Sequence, residues 1–333
     1  MFKTEDLKVL FLANYAPKNI LDPIPENIHD RVYAIYHHKI YKELYRYFPN
    51  IVSSNDASIL FSKDLEIDYI FSLYNRMPIR NSEIFVSSVA EYLKIPYLGA
   101  SPNIRALAED KHLAKMVAKH LGIPTPKWKI YNIGDSLIEP DFPPPYFVKP
   151  RFGASSKYIN DDSACSTWLE AETQISLLFS FGIDVILEEQ IMGIYHTSPV
   201  LNNFGNPLFL PCVEQRSTHN GGIVTYEQKR KIEPGLTRNM VTNNKLNNKM
   251  QDYSKLLFST IQPLDYTRVD YIVDALGIPY FLEFNVCCNL GEHSTISQSA
   301  KTVGISYEEL IGNIVYSSLY RNNLIQETFG KNF

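Results

Sequence analysis

The sequence predicts an α/β fold that changes to α+β in its C-terminal half. Over the first hundred residues, short apolar segments (8–13, 68–73, 95–98) alternate with helical patterns (32–47, 82–93). This alternation is typical of a parallel sheet with helices on its faces. Beyond residue 185 the apolar segments follow one another closely, which favours antiparallel strands.

The length of the chain indicates several domains, because 333 residues exceed the usual size of one. The predicted domains are an N-terminal α/β domain at 1–100, a central unit at 101–187 and a C-terminal unit at 188–333. The central unit is predicted to contain a helix at 103–120, strands at 127–131, 146–149 and 185–188, and a helix at 166–179. The C-terminal unit is predicted to contain strands at 199–201, 209–215, 268–273 and 280–285, an exposed loop at 237–248, and helices at 249–261 and 306–320.

Composition excludes several classes of function. With 32 Lys and Arg against 36 Asp and Glu, the net charge of −4 argues against a nucleic-acid-binding surface. The apolar run at 9–13 is too short for a signal peptide, and no apolar stretch approaches the ~18 residues of a membrane span. The four cysteines match no zinc-site spacing, which favours a reducing compartment. We therefore expect a soluble cytoplasmic protein with neither nucleic-acid nor membrane partners.

A cluster of oxygen-bearing side chains occupies a predicted β-hairpin near the C-terminus. Glu283 and Asn285 are two residues apart, so they leave the same face of one strand, and Asp270 lies on the other strand. Two carboxylates and an amide oxygen are ligands that magnesium prefers. The alternative is an amphipathic hairpin whose carboxylates are merely solvated, and periodicity alone leaves both interpretations open.

Four segments, in order, resemble one known family. RVDYIVDALGIPYFLEFNVCCNLGEHS resembles the metal-binding segment of the D-alanine–D-alanine ligases, members of the ATP-grasp superfamily. IPYLGASPNIRALAEDKHLAKMVAKHLGIPTPKW, FVKPRFGASSKYI and VILEEQIMG resemble that family's entry into its ATP domain, its VKP strand with a small loop, and its adenine hinge. The resemblance covers about residues 95–310 and implies a three-domain ATP-grasp fold preceded by a parallel-sheet domain.

The resemblance implies an ATP site. Lys111 and Lys149 match lysines that contact the phosphates, Glu188 matches the acceptor of the adenine amino group, and Ile191 matches the backbone position that reads the ring edge. Small residues of a loop let backbone N–H groups approach phosphate oxygens. The full predicted ATP-binding set is Lys111, Lys149, Gly153, Ser155, Ser156, Glu188, Glu189 and Ile191.

The resemblance also implies catalytic and substrate-binding groups. Arg268 and the backbone N–H of Asn289 match the groups that stabilise the oxyanion of the tetrahedral intermediate. Lys229 matches the lysine of a mobile loop that closes on the γ-phosphate. Ser294 and Thr295 fall where the family binds the carboxylate of the acceptor.

These residues imply an ADP-forming carboxylate–amine ligase. A carboxylate attacks the γ-phosphate of ATP, and an amine then attacks the acyl phosphate to give an amide. Asp270, Glu283 and Asn285 match the ligands of magnesium, with two ions expected and manganese as an alternative. The implied partners are small amino acid-like substrates, with a carrier-tethered acceptor as an alternative, and a second copy of the chain in a homodimer.

Three departures from the family pattern affect the sugar and first-substrate regions. Tyr195 stands where the family has a ribose-binding glutamate, and the first strand reads FLANYAPKN in place of a glycine-rich segment with a substrate-binding glutamate. A family histidine–glycine motif is replaced by a segment with Arg76 and Arg80. We hypothesise that Arg80 or Arg76 pairs with an acidic substrate group; the alternative is an exposed arginine.

We therefore expect an amino acid-type donor other than D-alanine. The alternatives are a D-alanine–D-alanine ligase with a divergent N-terminus and a non-catalytic ATP-binding protein.

Overall fold

The computed structural model describes residues 4–24, 31–74, 82–153, 156–218, 228 and 235–326. In this part of the chain, three sheets follow one another along the sequence, the first parallel and the other two antiparallel. None of the described helices has both the length and the apolar character needed to cross a membrane.

The N-terminal sheet is parallel and has the order β2-β1-β3. Its strands are β1 (Val9–Leu12), β2 (Val52–Ser54) and β3 (Tyr69–Ser72), and its helices are α1 (Arg31–Tyr47) and α2 (Ile84–Leu93). The predicted third strand at 95–98 is wrong, since this segment makes only a single bridge, from Tyr97 to Ile70. The third strand is β2 instead, which is too short and too rich in serine to be recognised by its apolar pattern.

The second sheet is antiparallel and has the order β4-β7-β5-β6. Its strands are β4 (Trp128–Tyr131), β5 (Tyr146–Pro150), β6 (Ala164–Cys165) and β7 (Val185–Glu189), with α5 (Trp168–Ser180) packed against them. Two helices, α3 (Pro102–Glu109) and α4 (Lys111–His120), precede it.

The continuous helix predicted at 103–120 is wrong, because Asp110 interrupts it. This residue has extended backbone angles (φ −93°, ψ 99°), and its carboxylate accepts from the backbone N–H groups of His112 and Leu113, which caps α4. The same carboxylate binds Arg151 through two hydrogen bonds. The interruption makes Lys111 the first residue of α4.

The third sheet has the order β11-β10-β8-β12-β13, with β9 paired to β8. Its strands are β8 (Gly193–Leu201), β9 (Leu208–Phe209), β10 (Val213–Ser217), β11 (Leu236–Met240), β12 (Tyr266–Asp274) and β13 (Pro279–Asn285). The helices α6 (Asn244–Thr260), α7 (Thr295–Thr302) and α8 (Tyr307–Arg321) complete this region.

Two predictions for this region are wrong. The strand at 209–215 is divided between β9 and β10, and the loop predicted at 237–248 contains β11 and the start of α6. The polar sequence of β11 is explained by its position at the edge of the sheet, where side chains such as Thr237 and Asn239 are exposed. Helix α7 was not predicted.

Candidate functional site

A first cavity of about 240 Å³ opens between the second sheet and the β12–β13 hairpin. Its walls include Phe147 of β5, Ile272 of β12 and Leu282 of β13, and several charged side chains also line it. The predicted ATP-binding residues that line it are Lys111, Lys149, Gly153, Ser156, Glu188, Glu189 and Ile191. The structure thus brings this predicted set together, apart from Ser155, which lies outside the described residues.

Two lysines share one buried carboxylate at the base of the first cavity. Glu188 Oε1 lies 2.9 Å from Lys149 Nζ and 3.1 Å from Lys115 Nζ. Burial alone would raise the pKa of Glu188, but the two lysines hold it below its usual value. Burial lowers the pKa of Lys115 to about 8, although Glu188 opposes that shift. One carboxylate therefore compensates two close cations, of which Lys149 lines the cavity and Lys115 is buried behind it.

Lys111 connects the loop after β5 with the hairpin. Its ammonium donates to the carbonyl oxygen of Gly153 at 2.6 Å and lies 3.8 Å from Glu283 Oε2. The Arg151–Asp110 ion pair holds the loop against the start of α4, where the N–H of Lys111 donates to the carbonyl of Arg151. Gly153 has a φ of +92°, a conformation that residues with a Cβ rarely adopt. This geometry places a cation beside a backbone turn.

The three predicted metal ligands lie together on β12 and β13. Asp270 and Glu283 are direct cross-strand neighbours, and Asn285 Nδ2 is 3.1 Å from Asp270 Oδ2. Glu283 lines the first cavity, Asn285 lines a second cavity, and the fully buried Asp270 lies between them. The donor set is entirely hard oxygen, which fits magnesium.

Asp270 is surrounded by hydrogen-bond donors. Arg268 donates to both of its carboxylate oxygens, at 3.0 and 2.9 Å, and Thr197 Oγ1 donates to Oδ1 at 2.9 Å. The Tyr195 hydroxyl donates to the same carboxylate, and burial followed by the charge of Asp270 raises the pKa of this tyrosine. Tyr195 lines the first cavity and contacts the predicted metal ligand.

The second cavity, of about 380 Å³, lies on the other side of the hairpin. One wall comes from α1 and carries Tyr33, Tyr36 and His37. The Tyr36 hydroxyl accepts from the backbone N–H of Leu290 at 3.1 Å, which ties α1 to the loop after β13. The predicted residues that line this cavity are Arg268, Asn285, Asn289, Ser294 and Thr295.

Ser294 and Thr295 lie at the N-terminus of α7. The Ser294 hydroxyl caps the helix by accepting from the backbone N–H of Ser297 at 3.2 Å. The side chain of Asn289 accepts from the N–H of Gly291, which shapes the loop between β13 and α7. Lys229, Arg76 and Arg80 lie outside the described residues, so their predicted contacts remain predictions.

Sequence reasoning missed several residues of the site. Lys115 lies four residues after Lys111 on α4, a spacing that puts both lysines on one face of the helix and could have identified it. Arg238 and Gln215 line the second cavity, but both come from segments without a recognisable motif. Glu83 lines the same cavity and is buried near Arg105, and burial raises its pKa.

Comparison with known proteins identifies the family. A family model described as D-ala D-ala ligase C-terminus matches residues 117–316. A D-alanine–D-alanine ligase of Maridesulfovibrio salexigens is 30% identical over 242 residues, covering 69% of this chain and 74% of that protein. One of Clostridium beijerinckii is 28% identical over 290 residues, covering 84% and 90%.

Comparison of structures leads to the same family. The crystal structure of a Bacillus anthracis D-alanine–D-alanine ligase in complex with ATP has a TM-score of 0.72 and 19% identity, over 96% of this chain and 99% of that chain. This similarity confirms the predicted fold. The family confirms the prediction of an ADP-forming, ATP-dependent ligase that makes a peptide bond between small amino acid substrates and uses magnesium. The chain belongs to the D-alanine–D-alanine ligase family of ATP-grasp enzymes.

Proposed function

We propose that ATP occupies the first cavity and that an amino acid-type carboxylate is activated as an acyl phosphate in the second. The observation that carries this proposal is the position of Asp270, Glu283 and Asn285 on the wall between the two cavities. Phosphoryl transfer requires the γ-phosphate and the attacking carboxylate to be held in line, and a group at this wall reaches both.

Asp270, Glu283 and Asn285 would hold two magnesium ions, with manganese as a substitute. When bound, the ions would neutralise charge that develops on the phosphate oxygens. In the described structure Arg268 binds both oxygens of Asp270, so a cation at Asp270 would compete with this guanidinium. Arg268 released in this way would be close enough to bind the carboxylate or the oxyanion of the second cavity.

The remaining roles follow the geometry of the two cavities. Lys111 and Lys149 would bind phosphate oxygens, and Glu188 and Glu189 at the end of β7, with Ile191 just after it, would bind adenine. The loop with Gly153, Ser155 and Ser156 would cover the phosphates, and Lys229 would close on the γ-phosphate. The backbone N–H of Asn289 would stabilise the oxyanion, and Ser294 and Thr295 would bind the acceptor.

The donor is proposed to differ from D-alanine, because aromatic side chains of α1 form a wall of the second cavity. Arg80 remains a candidate for an acidic substrate group. The proposal has four further parts: a homodimer, a carrier-tethered acceptor, a cytoplasmic location and domain boundaries at residues 100 and 187.

The test is phosphate release from ATP and magnesium across a panel of amino acids, with and without hydroxylamine, which traps acyl phosphates. We expect turnover with at least one amino acid other than D-alanine, together with hydroxamate formation. Turnover with D-alanine alone would support a D-alanine–D-alanine ligase. If no amino acid supported phosphate release while ATP bound normally, this result would contradict the proposal and support a non-catalytic protein.

A further inference from the structure

A buried lysine lies behind the first cavity. Lys115 of α4 is 0% exposed, and it is not among the described residues that line either cavity. Its ammonium lies 3.1 Å from Glu188 Oε1 and donates to Thr125 Oγ1 at 2.8 Å. Burying an ammonium is costly unless ion pairs and hydrogen bonds compensate it. Lys115 can therefore act on a nucleotide only through the groups that it holds, and of these Glu188 lines the first cavity.

Glu188 shares the first cavity with apolar side chains. Phe147 of β5 and Glu188 of β7 are direct cross-strand neighbours, so both side chains leave the same face of the second sheet. Ile272 and Leu282 of the hairpin line the same cavity. Apolar walls with a carboxylate between them fit a planar base that carries an amino group, because an ionised carboxylate only accepts hydrogen bonds.

Lys149, the second lysine at Glu188, has a competing partner when a nucleotide is bound. Its ammonium lies 2.9 Å from Glu188 Oε1, but Lys149 lines the first cavity and is one of the proposed ligands of the phosphates. A phosphate oxygen would compete with Glu188 for this ammonium. Lys115 has no such competitor, because it is buried behind the cavity. Both ion pairs are to Oε1, so Oε2 is left for a donor in the cavity.

Lys115 is itself anchored to the β12–β13 hairpin. The Thr125 hydroxyl, which accepts from its ammonium, donates to the carbonyl oxygen of Phe281 at 2.8 Å. The N–H of Phe281 donates to the carbonyl oxygen of Pro124 at 2.7 Å, which holds this segment against β13. The ring of Trp128 lies 5.5 Å from the same ammonium. These contacts fix the ammonium relative to two sheets, and the carboxylate paired with it is fixed in turn.

We propose that Lys115 is the positioning residue that makes the first cavity selective for a 6-aminopurine. By holding Oε1 of Glu188, it keeps this carboxylate ionised and turned so that Oε2 accepts from the exocyclic amino group of the base. A 6-oxopurine presents an oxygen at the same place, and two facing acceptors repel each other. This inference rests on the proposed function, which places ATP in the first cavity, and it names the residue on which the choice of base depends.

The experiment measures base selectivity without a second substrate. The probes are ADP and inosine diphosphate (IDP), which carry an amino and an oxo group at the same position of the base. Each is titrated with magnesium by calorimetry below pH 8, the approximate pKa of Lys115. The variants are K115M, which removes the ammonium, and T125V, which removes its anchor and keeps the lysine. The control is K119M, which removes an exposed lysine of the same helix that lies 5.9 Å from the same Trp128 ring.

We expect the wild type and K119M to bind ADP more tightly than IDP by about 10- to 100-fold, the effect of a hydrogen bond to a charged group. K115M should reduce this ratio by at least about fivefold, and T125V should reduce it by about two- to threefold. The ratio compares two ligands on one protein, so a general loss of stability leaves it unchanged. An unchanged ratio in K115M, or a wild type without preference for ADP, would overturn the inference. If K115M did not fold, an unchanged ratio in T125V would overturn it.

The result is distinguishable from a failure of the proposed function. Selectivity that is lost in K115M, together with no phosphate release on any amino acid, would support the inference and contradict the proposed function. Binding of neither nucleotide by the wild type would contradict both.

Discussion

The two cavities differ in how their charges are balanced. In the first, Lys115 and Lys149 share Glu188, and Lys111 lies near Glu283. In the second, Arg238 has no acidic partner among the described residues, and aromatic groups form a wall. In the first cavity the described cations are therefore close to protein carboxylates, whereas the second contains a cation without an acidic partner among the described residues. This difference teaches that the family resemblance names residues of both cavities but does not indicate how their charges are balanced.

The largest effect is expected from E188Q, which removes the anion that organises the first cavity. Leaving Lys115 and Lys149 without a carboxylate should lower the free energy of unfolding by about 3–5 kcal/mol. Urea-induced unfolding followed by circular dichroism measures this free energy for the wild type and E188Q. Adding K115M to E188Q should restore part of the loss, because one uncompensated cation is removed.

The matched control for E188Q is E189Q, which changes the next carboxylate, at the edge of the same cavity. Glu189 is half-buried, and within the described part of the chain its carboxylate accepts a single long hydrogen bond of 3.4 Å, from the N–H of Lys127. A change within about 0.5 kcal/mol is therefore expected. If E188Q were as stable as E189Q, the account of a preorganised first cavity would be wrong.

An intermediate effect is expected in the pH dependence of stability. Burial lowers the pKa of folded Lys115 to about 8, below the ordinary 10.5, so the unfolded chain binds more protons between these values. The contribution of Lys115 to the free energy of unfolding should therefore rise as pH increases through this window. The test is the difference in unfolding free energy between wild type and K115M, measured below pH 8 and again between about pH 8 and 10.5. A difference that falls or stays constant would contradict the arrangement around Glu188.

The smallest effect is expected from Y36F in the second cavity. Removing the hydroxyl that accepts from the N–H of Leu290 should cost about 1 kcal/mol of unfolding free energy. Because Tyr36 lines the second cavity only, KM for the amino acid substrate should rise while the Kd of ATP stays unchanged. Weaker ATP binding in Y36F, with normal KM for the amino acid, would show that the two cavities are not separable as described.

The parts of the fold that sequence reasoning predicted correctly have strong periodic patterns. The α1 helix and the β12–β13 hairpin are examples, and the hairpin carries the two-residue spacing that puts Glu283 and Asn285 on one face. The interruption at Asp110 and the strand β11 were mispredicted. Both depend on tertiary contacts, namely the pair of Asp110 with Arg151 and the pairing of β11 with β10, which leave no local pattern.

The site was predictable to the extent that residues match motifs. Lys111, Lys149 and Glu188 come from three separate segments and meet in the first cavity, as the resemblance implied. Arg238 and Gln215 could not be predicted, because only the order of strands in the third sheet brings β10 and β11 beside the second cavity. Tyr195 was recognised as a departure, but its contact with Asp270 required coordinates.

The central claim is that Asp270, Glu283 and Asn285 hold magnesium against the phosphates of ATP. The most direct measurement is the Kd of ATP by calorimetry, with and without magnesium, for the wild type, E283Q and the control E66Q, which changes an exposed carboxylate that lines neither cavity. We predict that magnesium tightens ATP binding to the wild type and to E66Q by at least about tenfold and has little effect on E283Q, while metal-free binding is alike in all three. Equal tightening by magnesium in E283Q would contradict the claim.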